Sequence, residues 1–371
     1  MKKEVVSIVK CSSYDNSDVA KAIQESLTNI NFKFKDNLKV LLKPNILGPY
    51  KPNQNITTHP TIIEEICKIL EKHNAKIFIG ESSFNDTDLA FKVSGIKKIA
   101  DKYGAKIINF EKQTKYKKEI NHQKVQKIYF PKLLHQVDMI INLPKLKTHG
   151  LAKMTCAVKN LYGVISGQTK SVYHKMAPKA ADFSELLLEI NKEVKPELNI
   201  VDGIYGIEGE GPGTAGSSRR TAVILASTNP IALDFAAAKL IGYKPTKVYT
   251  NKIALKKKFF NGKYKLVGNA KNTYVNYKKP SSHMSSFLSA FYFMGKPKIE
   301  FNHEKCIRCG LCAKRCPVKA IALTPFPNCD HNKCIKCLCC IEGCPKNAIS
   351  LKEPLIRRIT KSIINFFRGV K

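Results

Sequence analysis

Cys306-x-x-Cys309-x-x-Cys312-x-x-x-Cys316-Pro317 recurs 28 residues later as Cys334-x-x-Cys337-x-x-Cys340-x-x-x-Cys344-Pro345, an internal repeat in a chain of 371 residues. Ten of the 13 cysteines lie between positions 306 and 344, while Cys11, Cys67 and Cys156 are scattered. Thiolates separated by two residues can wrap a tight loop around one face of an iron–sulphur cubane. The run C-x2-C-x2-C-x3-C-P is the spacing that holds a [4Fe–4S] cluster. Structural zinc would favour two C-x-x-C pairs with a longer spacer. The N-terminal stretch MKKEVVSIVK has no apolar signal core of the roughly 7–15 residues that secretion needs. A reducing, cytoplasmic setting is therefore expected, and a disulfide framework is not.

Over residues 301–352 the chain resembles the bacterial two-cluster ferredoxin module. That resemblance implies crosswise ligation, in which the last cysteine of each run serves the other cluster. One cluster would take Cys306, Cys309, Cys312 and Cys344; the other would take Cys334, Cys337, Cys340 and Cys316. The apolar tails Ala320-Ile321-Ala322-Leu323 and Ala348-Ile349-Ser350-Leu351 suit short covering strands, and Cys329 and Cys339 read as spare thiols packed nearby. Such a module relays single electrons. Lys305, Arg308, Lys314, Arg315, Lys319, Lys333, Lys336, Lys346 and Lys352 outnumber Glu304, Asp330 and Glu342. This excess favours an acidic ferredoxin, a flavodoxin or another acidic redox enzyme as partner.

Working outward, residues 1–245 read as an α/β domain. Short runs rich in Ile, Val and Leu at 39–43, 76–80, 106–110, 137–143, 198–202 and 221–226 suit buried strands. Helices are expected at 19–29 capped by Asp18, at 62–73 opened by Pro60 or Thr61, at 182–194, and at 231–241 opened by Asn229-Pro230. This alternation predicts a mostly parallel, doubly wound sheet with ligands beyond the carboxyl ends of its strands. A small α+β domain with two [4Fe–4S] clusters would follow it.

Polar residues gather at those strand ends. KPN occupies 43–45, a Thr-His-Pro run 58–60, GES 80–82, NLPKLKTHGLAKMTCAVKNLYG 142–163, VDGIYGIEGEGPG 201–213 and NPIALDFAAAKLIG 229–242. On these stretches, covering roughly 36–242, the chain resembles the domain-of-unknown-function 362 family, whose members often carry a C-terminal ferredoxin module. The resemblance implies the architecture and leaves the chemistry to the residues.

Lys145, Lys147, His149, Lys159, Asp202 and Glu208 are the candidate catalytic groups. Lys43, Asn45, His59, Asn160 and Asp234 are candidates for substrate binding. The lysines suit a phosphate or carboxylate. The Gly-rich stretch 206–216 offers backbone N–H groups for the same anion, although it is neither a Walker A loop nor a GxGxxG fingerprint. Asp202, Glu208 and Asp234 form a possible hard divalent-metal site. His59 suits a helix cap as well as a ligand, His174 reads as a surface or lid residue, and Cys156 reads as core.

Residues 246–300 read as an insert and linker, with the apolar stretch 284–294 packing between domains. The basic amphipathic tail 353–371 would dock on its own protein or touch an anionic membrane surface. No apolar run reaches the roughly 20 residues of a spanning helix. The chain has 63 basic and 29 acidic residues, formally +34, yet only seven of the basic residues are Arg. A Lys-dominated charge without a helix-turn-helix, finger or aromatic RNA-binding signature does not point to nucleic acid. Two functions of different class remain: an iron–sulphur oxidoreductase acting on an anionic substrate at the rim, or a non-catalytic electron carrier that docks a partner redox enzyme.

Overall fold

The computed structural model describes residues 3–280 and 297–352. The stretch 284–294 and the tail beyond residue 352 lie outside the described residues. In chain order the strands are β1 (Glu4–Lys10), β2 (Lys39–Pro44), β3 (Lys76–Glu81), β4 (Lys106–Asn109), β5 (Lys115–Glu119), β6 (Lys127–Pro131), β7 (Met139–Leu143), β8 (Lys145–His149), β9 (Lys153–Thr155), β10 (Leu198–Gly209), β11 (Gly216–Ser227) and β12 (Tyr264–Val267). The helices among them are α1 (Asn16–Asn29), α2 (Pro60–Lys72), α3 (Thr87–Val93), α4 (Ile96–Lys102), α5 (Ala157–Asn160), α6 (Gly167–Met176), α7 (Ala180–Val194), α8 (Pro230–Leu240) and α9 (Tyr249–Lys256).

The main sheet runs β12-β1-β11-β10-β7-β2-β3-β4, with β8 paired to β10 and β9 to β8. Strands β10, β7, β2, β3 and β4 are parallel neighbours, and β11 is antiparallel to both β10 and β1. Successive β2 side chains enter opposite cores. Val40 and Leu42 meet the layer of α1 to α4, whereas Leu41 meets the layer of α5, α7 and α8. Burial on both faces explains why these strands read as unbroken apolar runs. Helix α8 is buried on nearly every side, which matches its all-round apolar sequence. Among the described residues no helix is long and apolar enough to cross a membrane.

Helix α1 begins three residues ahead of the expected start. Asp15 takes the cap position, and Asp18 lies in the first turn, where a carboxylate suits the helix dipole. The stretch 246–280, read as part of an insert, joins the main domain. Helix α9 follows α8, and β12 adds a parallel edge strand to β1. Its Lys- and Asn-rich composition hides this, because an edge strand carries little apolar signal.

The C-terminal module consists of β13 (Lys298–Phe301) paired with β16 (Ile349–Lys352), β14 (Ile321–Ala322) paired with β15 (Asn328–Cys329), and the one-turn helices α10 (Leu311–Lys314) and α11 (Cys339–Glu342). The sequence repeat is also a backbone repeat. Arg308 and Lys336 have φ of 52° and 55°, Gly310 and Leu338 71° and 64°, and Lys319 and Asn347 both 51°. Left-handed backbone at non-glycine residues is uncommon, so three matched pairs, with five of the six residues other than glycine, show that both cysteine runs fold into the same loop.

Candidate functional site: two cysteine loops and a cationic cavity

The first cysteine loop encloses a cavity lined by Cys306, Cys309, Cys312 and Cys344, together with Phe301, Leu311, Pro327 and Ile349. Cys316 is not among its lining residues. Four thiols around apolar walls are the donor set a four-iron cluster takes. In the second loop Cys340 faces Cys337 and Cys334, and Cys329 lies beside both Cys334 and Cys316. The amide of Ala320 donates to Cys316 Sγ at 3.2 Å, and that of Ala348 donates to Cys344 Sγ at 3.2 Å. Amides aimed at sulphur are the contacts that tune such clusters. All 13 cysteines are free.

The α/β rim divides into two separate groups. The first is a closed network. Asp202 accepts from Lys145 Nζ at 2.8 Å, from Tyr14 OH at 2.9 Å and from the His59 amide at 2.9 Å. Lys145 also donates to Tyr14 OH at 2.6 Å, and the Tyr14 ring stacks on His59 with centroids 3.7 Å apart. His59 Nδ1 accepts from the Thr61 amide, so this residue caps α2, and burial pushes its imidazole down to about 4. Every partner here is satisfied within the protein. Lys145, Asp202 and His59, read as site residues, therefore hold the strand ends together.

The second group surrounds a cavity of about 60 Å³. Asn45, Glu81, Ser82, Lys147, Thr155, Lys159, Asn160, Tyr162, Lys170 and His174 line it from the α/β domain, and Glu342 lines it from the C-terminal module. Strand β8 delivers Lys147 and α5 delivers Lys159 and Asn160. Helix α6 delivers Lys170 and His174. Lys43 stands directly behind the wall, where its ammonium donates to Glu81 Oε2 at 2.5 Å and to the Pro44 carbonyl at 2.7 Å. Asn160 bridges by donating to Asn142 Oδ1 at 2.8 Å and accepting from Asn45 Nδ2 at 2.9 Å. Lys170 donates to the Ser82 carbonyl, and burial brings its ammonium down to about 8. Lys147 is fully buried, and its Nζ has no hydrogen-bond partner among the described residues. Burial, reinforced by Lys145 and Lys159, pushes that ammonium far down.

Glu342 follows the second cysteine loop and is buried in the α/β rim. Its Oε1 lies 3.0 Å from His149 Nε2. His149 Nδ1 accepts from the amides of Leu151 and Ala152 at 3.0 and 3.2 Å, so its proton sits on Nε2, facing Glu342. Burial alone would raise Glu342, but His149 and Lys159 outweigh it and hold the carboxyl at about 2. Three further contacts seat the module. Ser171 Oγ donates to the Arg315 carbonyl at 3.2 Å, Thr214 Oγ1 donates to the Cys344 carbonyl at 3.4 Å, and the Arg315 guanidinium covers the Phe84 ring at 4.3 Å. Phe84 and Leu47, both cavity walls, pack on Cys337 and Cys339. One layer of side chains thus separates the second cysteine loop from the cavity.

Several expectations change. The carboxylates read as a metal site are dispersed. Asp202 is in the closed network. Glu208 accepts from the Lys278 amide at 2.9 Å, and Asp234 accepts from the amides of Ala157 and Val158, with burial raising it to about 7. Among the described residues no three His, Cys, Asp or Glu side chains converge as a single metal ion needs. A cubane spreads its thiolates more widely, so this does not bear on the cysteine loops. The Gly-rich stretch is mostly β-hairpin, and Gly206 lies against the Leu146 carbonyl, so it makes no phosphate cradle. His174 is buried in α6, stacked on Phe183 at 4.2 Å, and is no surface lid. Glu81, Lys170, Thr155 and Glu342 were not among the candidates, although Glu81 lay inside the GES run and Thr155 inside the 142–163 stretch.

A Cβ on Gly163 would overlap Glu81 Oε1 and Lys43 Nζ, two buried groups with no room to retreat. Gly163→Ala is expected to cost about 1–3 kcal/mol, read as a lower midpoint in thermal unfolding. An unchanged midpoint would mean that the Lys43–Glu81 pair is not held as described.

A family model described as "Domain of unknown function (DUF362)" matches residues 40–239, and one described as "4Fe-4S binding domain" matches 299–322. A thylakoid-associated protein of Synechocystis sp. is 30% identical over 252 residues, covering 66% of this chain and 77% of that protein. The lactate racemase apoprotein of Thermoanaerobacterium thermosaccharolyticum aligns with a TM-score of 0.36 and 14% identity, over 53% of this chain and 50% of that one. A structural-genomics structure from Thermotoga maritima aligns at 0.37 and 10%, over 66% and 58%. The chain thus spans between half and three-fifths of the length of these two solved structures.

Proposed function

The chain belongs to the DUF362 family and carries a 4Fe-4S binding domain of the electron-transfer type; from that premise we propose that it is an oxidoreductase acting on an anionic substrate in the cationic cavity. Two [4Fe–4S] clusters, one on Cys306, Cys309, Cys312 and Cys344 and one on Cys334, Cys337, Cys340 and Cys316, supply single electrons when bound. The observation that carries this reading is the placement of the cavity. Lysines line it, and two of its other walls, Phe84 and Leu47, back directly onto Cys337 and Cys339. A mere docking surface would have no need of a buried, unpartnered amine beside a redox centre. In this scheme Lys147 and Lys159 bind the anion, and Asn160 and Lys43 fix the cavity floor. Glu342 keeps the His149 proton oriented, and Tyr162 with Phe84 limits water.

Dithionite-reduced, desalted holoprotein mixed anaerobically with pyruvate, fumarate and nitrite, and followed by visible absorbance, tests this reading. At least one oxidant is expected to re-oxidise wild type about tenfold faster than Lys147→Met. Equal rates across the panel would favour the electron-carrier alternative.

The electron donor is proposed to dock at the opposite face. Cys309 is exposed, and Ile307 and Leu323 are 57% and 44% exposed, in a module that also carries Lys305, Arg308, Lys314 and Lys346. An acidic ferredoxin or flavodoxin fits such a face. Raising ionic strength from about 0.05 to about 0.5 M is expected to slow cluster reduction by flavodoxin about tenfold or more, because screening removes the steering. A salt-independent rate would contradict this docking face.

A further inference from the structure

Lys147 Nζ is the most deeply buried of several unmet groups around the same cavity. Thr155 Oγ1 and His174 Nδ1 also lack partners, as does the acceptor Asn45 Oδ1. Unsatisfied buried polar groups are costly, and a ring of them facing one space marks the outline of a missing partner. Among these groups the Lys147 amine calls for an anion, and Asn45 Oδ1 calls for a hydrogen-bond donor. A water needs about 10–15 Å³ of such space, and the cavity offers about 60 Å³. It therefore admits a molecule of about four to six non-hydrogen atoms.

We infer that the cavity takes a small monoanion bearing a hydrogen-bond donor next to its carboxylate, with the carboxylate on Lys147 and the donor on Asn45. This rests on the cavity being the substrate site and adds the class of the reduced substrate, the hydroxy acid that a 2-oxo acid such as pyruvate becomes on taking up two electrons and two protons. Two consequences follow from the surroundings. A second carboxylate is disfavoured, because about four to six non-hydrogen atoms leave no room for one beside the donor-bearing carbon. Binding also carries a proton in. Lys147 faces Lys145 of its own strand, Lys159 of α5, Glu342 of α11 and Glu81 of β3. Burial and the two lysines disfavour its ammonium until an anion arrives to pair with it.

Calorimetric titration of the anaerobic holoprotein with glycolate, acetate and ethylene glycol, in two buffers of different ionisation enthalpy, tests the inference. Glycolate is expected to bind about tenfold more tightly than acetate and with net proton uptake, and ethylene glycol not at all. Lys147→Met is expected to weaken glycolate about tenfold or more and to abolish the proton uptake. Asn45→Leu is expected to bring glycolate down to the affinity of acetate while leaving acetate itself unchanged. Equal binding of glycolate and acetate, no binding of either, or a Lys147→Met protein that binds glycolate like wild type would each overturn it. The pattern appearing without any re-oxidation of reduced clusters would sink the oxidoreductase reading and leave this one standing. Re-oxidation without the pattern would do the reverse.

Discussion

Replacing Cys344 and Cys309 together by serine is expected to leave about four irons per chain, whereas replacing Cys344 and Cys337 is expected to leave close to none. The logic is that of a double-mutant cycle. If Cys344 completes the cluster of the first loop, removing it destroys that cluster, and losing Cys309 as well costs nothing more. Cys337 belongs to the other set, so its loss removes the remaining irons. The mirror pair behaves the same way. Cys316 with Cys337 retains about four irons, and Cys316 with Cys309 loses nearly all. Ligation within each run would exchange these outcomes. The crosswise result is expected because Cys344 shares a cavity with Cys306, Cys309 and Cys312, while Cys316 lies beside Cys329, itself next to Cys334. Iron analysis after anaerobic reconstitution reads the answer directly.

Lys145→Met is expected to destabilise the α/β domain by about 3–5 kcal/mol, because it leaves the Asp202 carboxylate buried without its cation. Asp202 and Lys145 are both fully buried, and Tyr14 and the His59 amide are the other donors to the carboxylate. Neither carries a charge. For a domain of this size the loss corresponds to a fall of very roughly 10 °C in the unfolding midpoint. The double variant Lys145→Met with Asp202→Asn should recover most of it, since the stranded charge is gone. A single variant as stable as wild type would show that Asp202 reaches water or another cation.

The legible parts of this fold were those encoded locally. The cysteine spacing announced two matched loops, and the φ values of Arg308 and Lys336 show how closely they match. The central strands announced themselves as apolar runs, and Asn229 caps α8 as its Asn-Pro pair implied, accepting from the amides of Ile231 and Ala232. What stayed hidden depended on long-range pairing. Strand β8 reads Lys-Leu-Lys-Thr-His, with no strand-like alternation to expose it, and every one of its residues is buried. Its lysines tolerate burial only because Asp202, distant in sequence, meets Lys145, and because Lys147 opens into the cavity. The structure therefore divides the candidate residues between two separate groups. Sequence order could not separate a closed hydrogen-bonded network from a cavity lined by unpartnered groups. Glu342 was hidden for another reason. Lying between Cys340 and Cys344, it resembled a surface charge, and only the seating of the module on the rim turns it into a cavity wall.

The central claim is that both cysteine loops carry redox-active clusters. Iron content and low-temperature EPR of the anaerobically reconstituted, dithionite-reduced wild-type protein test it most directly. The expected result is about eight irons and two reducible, magnetically interacting centres per chain. About four irons with a single isolated signal, or none, would contradict it.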